Sequence, residues 1–259
     1  MVCKVDCYDK IRLEDSLKEI GYNFTYLEST KSTMDFFPKK NGKVPLLILA
    51  DHQTHGKGRY SNVWNDEKRK SVLMTIVETN FIINNASVGL ISHLVALTVC
   101  LALKEIVTFQ EIKIKWPNDI MLDGKKIAGI LIEQKGENIL IGIGINAYKD
   151  SFENAFLINK ENKFGRQSIV ISIIKRWSEL KKEIESGQSK NKLNYYAELW
   201  KNNSFILNKR VAMSLKDCVV IGTVKEIFLG GDVLVDLGDG ISKLISENDY
   251  VPGSCVVVK

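Results

Sequence analysis

Apolar residues along this chain change their spacing several times, and those changes divide it into elements. Ile11, Leu13, Leu17 and Ile20 recur at helical intervals and stop at Gly21, which predicts a short amphipathic helix; Phe24-Thr25-Tyr26-Leu27 then reads as extended chain. Compact apolar runs at 45–50 and 71–77 read as strands. The polar segment 51–70 between them is too long for an ordinary connection in a compact domain, so a site is expected there. Residues 88–107 have the length and composition of a mostly buried helix. Strands follow at 112–115, 120–122, 126–133 and 139–145, punctuated by Pro117-Asn118, Asp123-Gly124 and Gly136. A further helix is predicted over 168–184 and a polar loop over 186–191. Beyond Trp200 the pattern shortens to strands at 211–215, 219–228, 233–237, 241–245 and 254–258, joined by Gly230-Gly231-Asp232 and Gly238-Asp239-Gly240. Regular spacing with glycine turns predicts a small antiparallel barrel or sandwich. The whole reads as α+β, with a larger domain over 1–203 and a small β domain over 204–259 and no internal repeat.

Composition narrows the class. With 259 residues, 45% hydrophobic and 26% charged, the chain can bury a substantial core. No run reaches the roughly 18 apolar residues of a membrane span, since 88–107 is interrupted by Ser92, His93, Lys104 and Glu105. The first ten residues carry acids and lack an apolar stretch, so neither a secretory signal nor a transit peptide is expected, and a cytoplasmic location is. Cys3, Cys7, Cys100, Cys218 and Cys255 are scattered and without paired C-x-x-C spacing, which argues against a disulfide framework and a zinc site; Cys3 and Cys7 are spaced to share a helical face and are treated as ordinary thiols. The formal charge of +5 is dispersed among acidic neighbours. Its densest cluster, Lys57, Arg59, Lys68, Arg69 and Lys70, suits a small phosphate-bearing ligand as well as a polynucleotide.

Three segments carry chemistry. In Gln53-Thr-His-Gly-Lys57-Gly58-Arg59, glycines alternate with cations, so that backbone approaches phosphate oxygens closely while side chains neutralise them; a solvated basic loop has the same composition. It is not a P-loop, because G-x-x-x-x-G-K-[ST] is absent. Lys115-Trp116-Pro117-Asn118-Asp119-Ile120 places polar groups at a proline-fixed turn between apolar strands, where they hold a ligand or form a plain turn beside a packed tryptophan. In Gly142-Ile143-Gly144-Ile145-Asn146, alternating glycines clear space beside a strand, for a ligand or for tight packing against the long helix.

In this order and spacing, together with Lys126-Ile127-Ala128-Gly129, these segments resemble the biotin protein ligase family, whose signature is a Gly-Arg-Gly-Arg-like loop followed by Lys-Trp-Pro-Asn-Asp, Lys-Ile-Ala-Gly and Gly-Ile-Gly-Ile-Asn. The motifs run from about Thr25 to Asn146. Two departures stand out. Ser32-Thr33-Met34 replaces Ser-Thr-Asn, as in the eukaryotic branch, and Lys57 replaces the loop's first arginine, keeping its charge while losing bidentate geometry.

The resemblance implies a mixed-sheet catalytic domain of the biotin/lipoate ligase type with a small C-terminal SH3-like β-barrel. It also implies an enzyme that uses ATP, with Mg2+ as Mg-ATP, to convert biotin to biotinyl-5′-AMP and transfers biotin to a lysine of a carboxylase's biotin carboxyl carrier domain. By that likeness Lys126, Arg59 and Lys57 are the catalytic candidates, and Ser32, Thr33, Gln53, Lys57, Gly58, Arg59, Lys126 and Gly129 would hold biotin. Arg59, Trp64, Lys115, Asn118, Lys126 and Asn146 would hold the nucleotide, Trp64 as a cap on adenine, with residues 51–70 closing as a mobile loop. No resident metal site is expected. The stretch ahead of Ser32 is too short for a helix-turn-helix domain, so the DNA-binding domain of bifunctional members is expected to be lacking, and neither DNA nor membrane is an expected partner. Homodimerisation, the acceptor carboxylases and the role of the C-terminal unit stay open. A lipoate ligase shares the fold but typically carries a different arginine- and glycine-rich motif. A nucleic-acid module needs aromatic residues through its strands, and Phe228 is the only one in the predicted C-terminal strands.

Overall fold

The computed structural model describes residues 7–36, 45–79, 88–107, 110–149, 156–158, 164–186 and 189–258. Helix α1 (Lys10–Ile20) is capped by the Asp9 side chain, which accepts from the Arg12 N–H, and ends at Gly21 in the left-handed conformation. Strands β1 (Asn23–Leu27) and β2 (Leu46–Ala50) follow, then the two-residue strands β3 (Gly56–Lys57) and β4 (Val63–Trp64), then β5 (Ser71–Thr79). Next come α2 (Val88–Ile106), β6 (Ile112–Lys115), β7 (Asp119–Leu122), β8 (Lys125–Lys135) and β9 (Asn138–Asn146). Helices α3 (Arg166–Glu185) and α4 (Ser189–Asn202) lead to β10 (Arg210–Ser214), β11 (Val219–Ile227), β12 (Val233–Gly238), β13 (Ile241–Ile245) and β14 (Val256–Val257).

The larger sheet has seven strands in the order β1-β2-β5-β9-β8-β7-β6; β1 and β2 are parallel and the other pairs antiparallel, giving the mixed sheet expected. Its two faces sort residues by alternation, interrupted where the β7–β8 register shifts and neighbouring Ile127 and Ala128 both join the main core. Leu47, Leu49, Ile141, Ile143 and Ile145 join the main core with the helices, whereas Ile48, Val77 and Leu140 form a small second cluster with Met34 on the opposite face. That opposite face carries the site. Helix α2 is long and apolar enough to cross a membrane by length and composition, yet 72% of its apolar stretch is buried inside the protein, where it packs on β6, β7, β8, α3 and α4.

Two expectations change. The C-terminal strands form an open antiparallel sheet in the order β13-β12-β11-β10-β14; among the described residues no ladder joins its end strands, and β14 has only two residues with which to close a barrel. The stretch 186–191, expected as a loop, has α4 beginning at Ser189, with residues 187–188 outside the described chain. Cys7, Cys100, Cys218 and Cys255 are free thiols, and burial pushes the Cys100 thiol up to about 11. Cys3, and with it the shared helical face, lies outside the described residues.

The segment 51–70 is a flap built on the β3–β4 hairpin, pinned at both ends by Asp51. The Arg69 N–H donates to the Asp51 carbonyl at 2.9 Å and the Arg69 Nε–H to its carboxylate at 2.9 Å. Tyr26 donates to the same carboxylate at 2.7 Å, and the fully buried Arg166 of α3 stands 3.0 Å from it. Burial alone would raise the Asp51 carboxyl, but the hydrogen bonds from Tyr26 and Arg69 and the charge of Arg166 outweigh it and hold the group below the usual carboxylate range. Asp51→Asn, which removes the charge facing a buried guanidinium, is expected to cost about 3–5 kcal/mol. Since the folded carboxyl lies below its unfolded value of about 4, its contribution is complete above that pH and fades as pH falls through the folded value. Thermal unfolding from pH 7 to 3 should show the parent midpoint falling more steeply than the variant's below about pH 4; parallel curves would remove Asp51 from this role.

Candidate active site

On the sheet face opposite the helices, one cavity is lined by Ser32, Thr33, Gln53, Lys57, Gly58, Arg59, Trp64, Asn118, Lys126 and Gly129. The flap and the Trp116–Pro117 turn, which has a cis peptide bond, therefore face a common space. Lys115 and Asn146 do not line it: Lys115 sits on the end strand β6 opposite Asp119, and Asn146 is buried at the end of β9 opposite Ser71.

At one end of the cavity Ser32 and Thr33 open a 3-10 turn, with the Ser32 hydroxyl accepting from the Met34 N–H at 3.3 Å. The Gln53 carbonyl oxygen accepts from the Thr33 N–H at 2.7 Å and its hydroxyl at 3.0 Å, and Thr75 donates to that hydroxyl at 2.8 Å. Three polar side chains are thus locked in a buried cluster. The buried Asp66 steadies Gln53 by accepting from its N–H at 3.3 Å and from His52 at 2.9 Å. Burial raises the Asp66 carboxyl, and His52 offsets only part of that.

The strand glycines do clear space, and the occupants are the protein's own side chains. A Cβ on Gly142 would stand 2.7 Å from the Met34 sulfur, and one on Gly144 would stand 2.6 Å from the Trp64 indole. Trp64, expected over adenine, lies against Gly144 and Gly129, with its Nε1–H buried and unpartnered. Since Gly142 pairs with Thr75 and Gly144 with Gly129, the polar cluster and the Trp64 contact lie two residues apart along β9, roughly 7 Å. Lys126 follows, its ammonium 5.9 Å from the Trp64 ring and 2.7 Å from Asp119. The Asn118 amide donates to the Ile130 carbonyl of β8, which fixes the turn beside Lys126.

Each cation facing the cavity has a carboxylate partner: Lys57 pairs with Asp35, Lys126 with Asp119, and Arg59 with Glu247. Sequence reasoning did not single out Asp35 or Glu247, nor the contributions of Met34, Tyr250, Pro252 and Gly253 to the cavity wall. The last three come from the C-terminal unit. Trp116 docks there, its Nε1–H donating to the Gly231 carbonyl at 3.0 Å and its ring 4.8 Å from that of Tyr250, whose phenol burial pushes up to about 12. Only the tryptophan carried a signal in the sequence.

This fold is that of biotin protein ligases. The ligase from Aquifex aeolicus in complex with biotin and ATP matches with a TM-score of 0.71 at 21% identity, over 91% of this chain and 99% of that one. The ligase from Leishmania major in complex with biotinyl-5-AMP matches with a TM-score of 0.60 at 22% identity, over 86% and 98%. Residues 25–150 match the model of the Biotin/lipoate A/B protein ligase family. The bifunctional ligase/repressor BirA of Bacillus subtilis is 34% identical over 145 residues, 53% of this chain and 44% of that protein. The biotin–[acetyl-CoA-carboxylase] ligase of Mycobacterium tuberculosis is 25% identical over 216 residues, 80% of this chain and 78% of that one. The chain spans less than half the length of the first curated relatives it matches.

The two strand glycines give a paired test. Gly142→Ala meets a flexible thioether that yields, and Gly144→Ala meets a rigid indole that must leave its seat. Ligand affinity measured by calorimetry should change little in the first variant and fall at least about tenfold in the second, the scale of a 1–3 kcal/mol overpacking cost; equal losses would contradict this division.

Proposed function

We propose that the protein is a biotin–protein ligase that activates biotin with ATP and passes it to a lysine of a biotin carboxyl carrier domain. The observation that carries this reading is the order of groups along the cavity: the polar cluster Ser32, Thr33 and Gln53, then Trp64, then Lys126, with Lys57 and Arg59 lining the same space from the flap. A ligand with a hydrogen-bonding head, an apolar chain and a terminal carboxylate suits that sequence. Biotin's ureido ring offers both donors and an acceptor to a buried polar cluster, whereas a dithiolane offers it no comparable partner.

A carboxylate does not acylate an amine at neutral pH because its oxygen is a poor leaving group. Attack of the carboxylate oxygen on the α-phosphorus of ATP forms the new P–O bond and expels pyrophosphate, giving an acyl adenylate. Lys126 and Arg59, which line the cavity, would stabilise the negative charge that accumulates in that transfer, and Asp119 pairs with the Lys126 ammonium beforehand. The acceptor lysine's amine then attacks the acyl carbon, the bond to AMP breaks, and the amine's proton is lost to solvent. Magnesium supplies charge neutralisation as the counter-ion of the phosphates; among the described residues no cluster of three or more His, Cys, Asp or Glu could hold a resident ion. We assign adenylation to residues 1–203, with Asn118 toward the nucleotide, and the cover of the cavity to 204–259 through Tyr250, Pro252 and Gly253. We propose a cytoplasmic location for the activity.

Incubation with labelled biotin, Mg-ATP and a carrier domain should label that domain only when its target lysine is present, with lipoate as a poor competitor. Lys126→Ala should lower biotin-dependent pyrophosphate release by at least about 100-fold, the scale for losing one preorganised charge donor; release at the parent rate would dismiss Lys126 from the reaction.

A further inference from the structure

Arg59 stands between two hollows. On one side is the cavity that holds Lys126; on the other is a second hollow lined by Gly89, Ser92, Asp232, Ser246, Glu247 and Asn248. The flap touches the C-terminal unit there, at Glu247. The Arg59 guanidinium is 3.4 Å from the Glu247 carboxylate, and the next flap residue, Tyr60, donates its hydroxyl to the Glu247 carbonyl at 3.4 Å. One residue thus receives two consecutive flap residues, one on its side chain and one on its backbone.

The surroundings are built to admit that side chain. Glu247 is 8% exposed. A Cβ on Gly89, at the start of α2, would stand 2.9 Å from its carboxylate, and one on Gly231, between β11 and β12, would stand 3.3 Å away. A carboxylate enclosed this far needs an opposite charge, and the guanidinium that meets it belongs to the flap. Burial pushes the Glu247 carboxyl above its ordinary value and Arg59 draws it back. Tyr60 has a left-handed φ of 51°, a conformation costly for a residue with a side chain and kept only where its surroundings impose it.

We propose that Glu247 is a positioning residue that latches the flap: by holding Arg59 and Tyr60 from the C-terminal unit, it keeps Arg59 at the mouth of the cavity and sets how long an acyl nucleotide stays sealed there. The role of the latch in retention rests on the ligase reading above; the latch itself does not. The pairing is peripheral enough for a flap to open, since the Arg59 side chain keeps 17% of its exposure.

The test uses the full chain and Glu247→Gln, which keeps size and hydrogen-bonding capacity but removes the charge. In the free protein, trypsin should cut after Arg59 on the order of tenfold faster in the variant, the change expected on losing one charge-assisted hydrogen bond. The thermal midpoint and the cutting rate at other sites should stay at parent values, which separates a local latch from general loosening. Tyr60→Phe, which leaves the carboxylate intact, should give a smaller change in the same direction. With biotin and Mg-ATP, the adenylate that Glu247→Gln forms should be released on the order of tenfold sooner than the parent's, with no further loss when combined with Arg59→Ala. Parent-like cutting after Arg59 would overturn the latch, as would a longer-lived adenylate, which would mean that the carboxylate withholds Arg59. If the parent protein forms no adenylate, the ligase reading fails while the proteolysis still decides the latch.

Discussion

A single buried carboxylate fixes where the flap begins and ends. Asp51 closes segment 51–70 on itself through Arg69 and ties that closure to β1 through Tyr26 and to α3 through Arg166. Its own N–H donates to the Leu27 carbonyl. With its stem fixed on β1 and α3, the flap aims Trp64 at Gly144 and Arg59 at Glu247. Two guanidinium groups around one carboxylate also explain how a charge can sit in the core: its desolvation is offset by opposite charge at close range.

The same pairing logic runs through the cavity. Lys57, Lys126 and Arg59 each enter it already opposite a carboxylate, on three different supports: the 3-10 turn, the Trp116–Pro117 turn and the C-terminal unit. Cations held this way need little reorganisation to meet a developing negative charge. An incoming phosphate also exchanges partners with an existing ion pair rather than entering an unbalanced field, which tempers affinity for any stray polyanion.

Much of this was legible in the chain. Alternation gave the strands because each strand of the large sheet has a wet or ligand-facing side and a core side, and Gly21 and Pro117 marked boundaries through backbone geometry. Helix α4 was illegible: Ser189, Asn191 and Asn194 are weak helix formers, and what holds it is the burial of Tyr196 and Trp200 against the other helices. The glycines of β9 announced close approach but could not say of what, since Met34 and Trp64 arrive from distant segments. Glu247 and Tyr250 had no local signal, because their meaning lies in contacts across most of the chain, 188 residues in the case of Arg59 and Glu247. The C-terminal sheet is consistent with the expected SH3-like unit, but its closure was illegible for a related reason: strand spacing is local, and whether end strands meet is not.

The strand at the far margin of the large sheet shows what else the C-terminal unit does. On its outer side β6 is covered by the connecting segment, with the Ile114 N–H donating to the Asn203 carbonyl and the Phe205 N–H donating back to Ile114. A shortened protein ending before Asn203 would leave that row of amides and carbonyls bare, a template for strands of neighbouring molecules. Concentration-dependent light scattering would reveal it, and the tail would then count as a guard against self-aggregation as well as a cover for the cavity.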